Sequence, residues 1–304
     1  MKLIVNPVAG NGFVGRRWPW LRRRLQEMGA DFVADLTERE GHATELARRA
    51  LDEGHRTIVA VGGDGTVNEV VNGLVIDNGY IHIPSDVTLG IIPGGTGSDL
   101  VRTIGIPYDH EKACLRLLKD DSRLIDLGVI EYRDAEGRPR RRLFANAAGM
   151  GIDSEIVERL RRGSKLVGGT LPYLITLFRT LVDYKSKDVR ACLDEFEFQK
   201  RVSSILVLNG RYLAGGMKAA PEASLDDGLF DILVLEAIGR LDLAINIFRV
   251  YRGTHLSHPK VHLYRAREVQ IESRQRMLIQ ADGELVGEAP LTLRVIPKAL
   301  QVRV

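Results

Sequence analysis

The first third of the chain alternates short apolar runs with segments whose apolar residues recur at helical spacing. The apolar runs lie at 3–5, 32–34, 57–61 and 88–92. The amphipathic segments that follow the first two runs end at glycines, as helices commonly do. Strands that alternate with helices at this interval predict a mainly parallel sheet covered by helices on both faces.

The pattern changes after about residue 125, where strand-like segments joined by turns take over. Two helical interruptions are predicted, near 166–184 and 241–251. Many strands in succession predict an antiparallel sandwich or barrel. The predicted strands of this part are 124–130, 143–147, 189–198, 202–208, 229–235, 269–271 and 277–281.

Composition and charge exclude several classes of protein. A chain of 304 residues with 44% hydrophobic and 27% charged residues is typical of a globular protein with one or two domains. The formal charge of +3, without a basic stripe interleaved with aromatic residues, argues against a nucleic-acid binder. Cys114 and Cys192 form neither a disulfide framework nor a zinc spacing, and we see no signal peptide and no apolar run of about 18 residues. We therefore expect a soluble, cytoplasmic protein.

The strongest chemical signal is a glycine-rich loop between a predicted strand and a predicted helix. Its glycines let backbone N–H groups approach phosphate oxygens, and the helix start adds positive partial charge. A carboxylate in such a loop would repel phosphate unless a cation lies between them or the carboxylate handles a proton. The loop reads Gly62-Gly63-Asp64-Gly65-Thr66-Val67-Asn68, and a purely structural turn would not need Asp64 and Thr66.

Two further glycine loops follow predicted strands, one beginning at Asn6 and one containing Gly94, Gly95 and Thr96. Open α/β sheets bind ligands beyond the carboxyl ends of their strands, so the three loops together predict a single nucleotide site. The loops lack the Gly-Lys-Ser/Thr of a Walker loop and the Gly-x-Gly-x-x-Gly that opens a helix in a dinucleotide fingerprint, so they are neither of these motifs.

These motifs resemble the lipid kinases related to diacylglycerol and sphingosine kinases, and the soluble bacterial diacylglycerol kinases fit best. The match runs in order through nearly the whole chain. One departure lies at the end of the loop at 93–99. Many relatives have Asn-Asp-Phe there, and this chain has Ser98-Asp99-Leu100. The motifs are Asn6-Pro7-Val8-Ala9-Gly10, residues 62–69, residues 93–99, Ile125-Asp126-Leu127-Gly128, residues 144–149, Asn209-Gly210, Gly215-Gly216-Met217, Leu225-Asp226-Asp227-Gly228, His258-Pro259 and Asp282-Gly283-Glu284.

The resemblance implies an architecture of two domains. An N-terminal, mainly parallel, three-layer α/β domain at 1–125 would bind ATP and be completed by 290–304. A C-terminal antiparallel β-sandwich would span 126–289, with the active site in the cleft between the domains.

The resemblance also implies roles for particular residues. The acidic catalytic positions are Asp64, Asp99, Asp126 and Glu284. Ser224 and Leu229, through their carbonyl oxygens, and Asp227 correspond to a structural Mg²⁺ site, although the residues alone fit a plain turn equally well. The nucleotide-contacting positions are Asn6, Thr37, Gly62, Gly63, Asp64, Gly65, Thr66, Val67, Asn68, Gly94, Gly95 and Thr96.

The implied reaction transfers the γ-phosphate of ATP to a lipid hydroxyl, with diacylglycerol giving phosphatidic acid in phospholipid biosynthesis. Several carboxylates around a triphosphate need at least one Mg²⁺. Glu284 is the predicted proton acceptor, with Asp64 as the competing candidate. A carboxylate can serve here because the proton leaves late in a loose transition state.

The lipid acceptor suggests a membrane surface as partner, and an apolar segment at 166–178 flanked by basic residues is our candidate for meeting it. A helix packed on the sandwich is the alternative for this segment. Peripheral association with the inner membrane face and a homodimer remain open. His255 and His258 have a metal-like spacing without an evident third ligand, so we predict a structural role for them.

Two other functions compete with the lipid kinase. One is an NAD kinase-like phosphotransferase acting on a ribose hydroxyl, since Gly-Gly-Asp-Gly loops occur there too. The other is a catalytically silent nucleotide-binding regulator. The loop at 93–99, Asp126 and the turn at 225–228 favour the lipid kinase.

Overall fold

The computed structural model describes residues 1–134, 136–162, 175–176, 179–180 and 183–304. These residues form two compact units, Met1–Ile125 with Lys298–Val304, and Asp126–Pro297. The apolar segment predicted at 166–178 lies almost entirely outside the described residues, as does most of the helix predicted at 166–184. Within the described part of the chain, no helix is both long and apolar enough to cross a bilayer.

The first unit consists of a parallel sheet and the helices that follow its strands. The elements are β1 (Lys2–Val5), α1 (Ala9–Glu27), β2 (Val33–Leu36), α2 (His42–Asp52), β3 (Thr57–Gly62), α3 (Asp64–Gly73), β4 (Ile76–Asp77), β5 (Ile81–His82), β6 (Thr88–Pro93), α4 (Asp99–Ile104), α5 (His110–Leu118) and the last residues of β17 (Leu291–Arg303). The strand order of the sheet is β17-β6-β3-β1-β2, and a small antiparallel pair, β4 with β5, lies apart from this sheet.

Both faces of this sheet are buried. Leu3 and Val59 pack with α1 and α5 in one apolar core. Ile4 and Ile58 point to the opposite face, because successive side chains of a strand alternate, and they are also fully buried. Since α2 and α3 pack against β1 and β3, the predicted three-layer parallel arrangement is confirmed.

The register brings three strand ends to one edge of the sheet. Val5 of β1 pairs with Val61 of β3, and Val61 pairs with Ile92 of β6. The three glycine loops follow these residues directly. The three glycine loops are therefore neighbours in space.

The second unit is built from antiparallel strands, as predicted. Phe144 stacks on Phe230 at its centre, with ring centroids 5.5 Å apart, and both side chains are fully buried. Its elements are β7 (Ser122–Arg133), β8 (Pro139–Phe144), β9 (Ala147–Gly151), α6 (Ile152–Arg162), β10 (Lys187–Leu193), β11 (Phe196–Leu208), β12 (Phe230–Glu236), α7 (Arg240–Arg252), a 3₁₀ turn (His255–Ser257), β13 (Val261–Ala266), β14 (Glu268–Ser273), β15 (Leu278–Ala281), β16 (Glu284–Glu288) and the first residues of β17.

Two strand predictions in this unit are wrong. The segment 189–198 is a hairpin, in which β10 and β11 are joined through Asp194 in the left-handed conformation (φ 51°). The segment 143–147 is interrupted, because β8 ends at Phe144 and β9 begins at Ala147. In both places an aspartate carboxylate accepts hydrogen bonds from backbone amides that are distant in sequence.

Candidate functional site

The three glycine loops of the first unit pack directly on one another. The backbone N–H of Gly94 donates to the carbonyl oxygen of Gly62 at 2.7 Å. A Cβ atom on Gly95 would lie 2.5 Å from the Cα of Gly63, and one on Gly10 would lie 2.4 Å from the carbonyl oxygen of Gly94. Real Cβ atoms do not approach so closely, so these loops meet at the strand edge because their residues lack side chains.

Polar side chains connect two of these loops. Asn6 Nδ2 donates to Thr66 Oγ1 at 2.9 Å, and Thr66 is buried. A Cβ on Gly62 would lie 2.4 Å from the same hydroxyl oxygen. The helix α3 begins at Asp64, and among the described residues no side chain caps its N-terminus. The first N–H groups of a helix have no partner within it, so the start of α3 can bind an anion.

Asp64 and Asp99 come together in the structure. The backbone N–H of Asp99 donates to Asp64 Oδ1 at 3.0 Å, and the buried Asp99 is the first residue of α4. Ser98 precedes it in the left-handed conformation, and Tyr108 OH donates to the Ser98 carbonyl oxygen at 3.1 Å. The two loops therefore present carboxylate oxygens, the donors that Mg²⁺ prefers, beside backbone amides.

The predicted nucleotide position Thr37 lies at the same sheet edge. Its backbone N–H donates to the Val5 carbonyl oxygen at 2.8 Å. Nearby, the carboxylate of Glu69 accepts from the backbone N–H groups of Gly41 and Ala43, each at 3.0 Å. Glu69 thus holds the start of α2 against α3, a role that the sequence reasoning did not identify.

In the second unit, Asp126 is a fully buried anchor. Its Oδ2 accepts from the backbone N–H of Gly228 at 2.7 Å, and its carbonyl oxygen accepts from Asn209 Nδ2 at 2.8 Å. The first bond ties Asp126 to the turn at 225–228 and the second ties it to Asn209, a structural role beside the catalytic one that the motif implies. The catalytic role stays a prediction.

The turn predicted to bind structural Mg²⁺ is held by hydrogen bonds and one ion pair. Asp227 Oδ1 accepts from the Leu229 N–H at 3.1 Å, and Asp227 Oδ2 forms an ion pair with Arg265. Ser224 Oγ donates to Asp226 at 2.7 Å. The described residues include no group of three or more His, Cys, Asp or Glu side chains placed to hold a metal. The roles of Ser224, Asp227 and Leu229 in binding structural Mg²⁺ stay a prediction.

Glu284 follows a tight turn between β15 and β16. Asp282 (φ 48°) and Gly283 (φ 88°) form the turn, and such consecutive left-handed residues are typical of Asp-Gly hairpins. The Asp282 carboxylate accepts from three successive amides at 2.8 to 3.1 Å, those of Ala145, Asn146 and Ala147. Glu284 Oε2 lies 2.8 Å from Arg142 Nη2, a half-buried ion pair that the sequence did not predict.

The second unit also contains an apolar cavity that the sequence did not reveal. It has a volume of about 110 Å³, and its walls come from α6, α7 and the strands β11 and β12. Ile156, Met217 and Ile247 are among the apolar side chains that line it. Asp153 lies in the same wall, where burial raises its pKa from 3.8 to about 6. The cavity therefore suits an apolar ligand with few polar groups.

His255 and His258 both line this cavity. The ring Nε2 of His255 lies 3.0 Å from the Ala219 carbonyl oxygen, and burial lowers the pKa of this histidine. His255 thus has a packing role in the cavity wall.

Comparison with known proteins places these sites in a family. Residues 1–130 match the diacylglycerol kinase catalytic domain, and residues 146–304 match a YegS C-terminal NAD kinase beta sandwich-like domain. A diacylglycerol kinase of Staphylococcus haemolyticus is 32% identical over 99% of this chain and 87% of its own length. The chain belongs to the diacylglycerol kinase family. A second such relative, from Staphylococcus saprophyticus, is 31% identical over 95% of this chain and 90% of its own length.

Solved structures agree with this assignment to the diacylglycerol kinase family. A candidate diacylglycerol kinase from Bacillus anthracis superposes with a TM-score of 0.80 at 26% identity, covering 99% of this chain and 94% of that one. A yeast NADH kinase in complex with NADH shares the fold alone, with a TM-score of 0.52 at 10% identity over 99% of this chain and 81% of that one. The resemblance and the fold class predicted from the sequence are confirmed. The relatives support a kinase of the lipid-kinase type.

Proposed function

We propose that this diacylglycerol kinase family member transfers the γ-phosphate of ATP to the free hydroxyl of a diacylglycerol, giving phosphatidic acid. The observation that carries the lipid acceptor is the apolar cavity of the second unit. The kinase half of the proposal is supported by the glycine loops of the first unit and by family membership.

The glycine loops have the chemistry to bind a triphosphate. The backbone N–H groups at the start of α3 and the neighbouring glycine backbones are donors for phosphate oxygens. Asp64 and Asp99 would repel the nucleotide unless a divalent cation is bound with it, and their oxygens suit Mg²⁺. Bound there, Mg²⁺ would neutralise charge on the transferred phosphoryl group.

The cavity favours a lipid acceptor over a ribose acceptor. The wall of the cavity is mostly aliphatic. Acyl chains would move from water into contact with this apolar wall. Such burial stabilises binding by roughly 0.8 kcal/mol per methylene group. A dinucleotide such as NAD is polar along its length and would leave its hydrogen-bonding groups unpaired in such a cavity.

Glu284 is our proposed proton acceptor, and Arg142 gives its carboxylate a defined orientation. In a loose transition state the hydroxyl proton leaves late, so the early contribution of Glu284 is to orient the attacking oxygen. Asp64 remains the second candidate, since it also lies in a loop assigned to the nucleotide.

The outer face of α7 suggests how the enzyme meets its substrate. Leu241, Ile245 and Phe248 recur at helical spacing and are 81%, 72% and 58% exposed. The opposite face of the same helix contributes Ile247 and Val250 to the cavity wall. The area that three exposed side chains can bury is smaller than the roughly 800 Å² per partner that stable protein interfaces bury. We therefore propose that this apolar stripe inserts into a lipid surface.

One assay tests the proposed function directly. The protein is incubated with γ-labelled ATP and Mg²⁺ and with dioctanoylglycerol, sphingosine or NAD as acceptor, and the labelled product is identified. We expect label in phosphatidic acid and its loss when Mg²⁺ is chelated. Label in NADP would favour the ribose kinase, and no transfer to any acceptor would favour a nucleotide-binding regulator.

A further inference from the structure

A chain of hydrogen bonds connects the wall of the apolar cavity to the turn before Glu284. Asp153 lies in the cavity wall at the start of α6, and its Oδ2 accepts from Gln280 Nε2 at 3.3 Å. The other end of the same amide, Gln280 Oε1, accepts from the backbone N–H of Gly283 at 2.8 Å. Glu284 is the next residue. Two hydrogen bonds thus link the cavity wall to the turn that positions the proposed proton acceptor.

The surrounding backbone makes room for this chain. Gly149 of β9 pairs with Gln280 of β15. A Cβ atom on Gly149 would lie 1.8 Å from Asp153 Oδ2 and 2.8 Å from Gln280 Nε2. The other carboxylate oxygen of Asp153 accepts from Ser204 Oγ at 2.8 Å. The pair therefore occupies a space that exists only because residue 149 has no side chain.

The chemistry of the chain calls for an amide at position 280. The side chain must donate to a carboxyl oxygen on one side and accept from a backbone N–H on the other, and a neutral amide has both groups. Gln280 and Asp153 are both buried, so neither can satisfy these groups with bulk water. Asp282 holds the opposite side of the same turn through three backbone amides.

We infer that Gln280 is a positioning residue that couples occupation of the apolar cavity to the placement of Glu284. An acyl chain against Asp153 fixes the carboxyl group, the carboxyl group fixes the amide, and the amide fixes the turn. This inference rests on the proposed function, because it takes Glu284 as the proton acceptor and the cavity as the acyl site.

The first test compares Gln280→Met with Gln270→Met in the full-length protein. Methionine keeps the length of the side chain and removes both hydrogen-bonding groups. Gln270 is an exposed glutamine of β14 that donates to Glu268, so its variant is the matched control. With ATP, Mg²⁺ and dioctanoylglycerol, we expect Gln280→Met to lower kcat about tenfold with an unchanged KM for ATP. The control should match the wild type.

A double variant separates positioning from general damage. In a Glu284→Gln background, Gln280→Met should lower the residual kcat no further, because the group that it positions is gone. A second tenfold loss in the double variant, or a raised KM for ATP without a fall in kcat, would overturn the inference. If thermal unfolding shows that Gln280→Met does not fold, Ser204→Ala replaces it, because Ser204 donates to the other oxygen of Asp153. The kcat and KM results expected for Gln280→Met are then expected for Ser204→Ala.

A second test needs no turnover and so separates this inference from the proposed function. Hydrogen exchange at residues 281–285 is measured with and without dioctanoylglycerol. The lipid should slow exchange in the wild type and in Gln270→Met, and should leave it unchanged in Gln280→Met. Equal slowing in all three proteins contradicts the coupling. A wild type that phosphorylates no lipid refutes the proposed function, and the exchange result still decides whether Gln280 links the cavity to the turn.

Discussion

At the scale of single residues, the carboxylates of this protein differ in what surrounds them. Asp64 accepts a backbone N–H, and Glu284 lies beside the guanidinium of Arg142. Asp153 is held by uncharged groups, the Ser204 hydroxyl and the Gln280 amide. Burial raises the pKa of Asp153 to about 6, because the charged form loses its hydration. A carboxyl group that is neutral in weak acid is suited to an apolar cavity.

Asp153 should therefore make stability depend on pH. Its pKa is higher in the folded protein than in the unfolded chain, so the folded state binds more protons between about pH 4 and pH 6. The free energy of unfolding should fall as pH rises through this window, by about 3 kcal/mol from this residue. Asp153→Asn removes the titration. The free energy of unfolding in urea is measured at pH 4 and pH 7 for both proteins. From pH 4 to pH 7 it should fall by about that much more in the wild type than in the variant.

Glu284→Gln should fold normally and bind ATP, but lose about a hundredfold in turnover, the typical contribution of a general base. Glutamine keeps the shape of the side chain and cannot accept the proton. Glu288→Gln is the matched control, because Glu288 lies on the same strand β16 and is ion-paired with Arg276. Wild-type turnover in Glu284→Gln would assign the proton to another group, with Asp64 the next to test.

The glycine and acidic motifs could be recognised from the sequence because each of them is contiguous. The partners of these residues could not. Arg142 and Glu284 are 142 positions apart, and Asp153 and Gln280 are 127 apart. Such pairs arise from strand register, which a single sequence does not disclose. Arg142 in particular belongs to a basic cluster that resembles any solvated surface.

At the scale of elements, the parallel sheet was predictable and the hairpin at 187–208 was not. The strands β1, β3 and β6 of the first unit are short apolar runs followed by glycine loops, so their limits are marked locally. The hairpin turns at Asp194 without a glycine or proline, and the backbone amides that hold Asp194 are those of Arg267 and Glu268. The cavity escaped prediction for a similar reason, since its walls come from elements that are distant in sequence.

The outer stripe of α7 carries a prediction of its own. Changing Leu241, Ile245 and Phe248 together to serine should lower binding to vesicles of phosphatidylglycerol and diacylglycerol at least tenfold, because the buried apolar area is lost. Activity on a water-soluble short-chain diacylglycerol should stay the same, since these side chains point away from the cavity. Leu115→Ser, at an exposed site on α5, is the control. Unchanged sedimentation with vesicles would remove α7 from the membrane contact.

At the scale of the whole molecule, each unit has its own apolar core. The first unit is discontinuous in sequence, because residues 298–304 return to it and pair with β6 through Gln301 and Val302. Leu300 and Val302 are fully buried there. The resemblance implied a longer returning segment that begins at 290, whereas residues up to Pro297 belong to the second unit. We therefore expect the loss of residues 298–304 to affect the first unit.

Truncation after Pro297 should destabilise the first unit and leave the second unchanged. The loss of Leu300 and Val302 removes two buried side chains, worth about 4 kcal/mol together. Both tryptophans, Trp18 and Trp20, lie in the first unit, so their fluorescence reports its unfolding. The tryptophan transition should move to lower urea, while a fluorescent acyl probe should still bind the cavity. Gln301→Ala, which keeps the buried side chains, should shift the transition far less. An unmoved tryptophan transition in the truncated chain would show that the returning residues contribute nothing to the first unit.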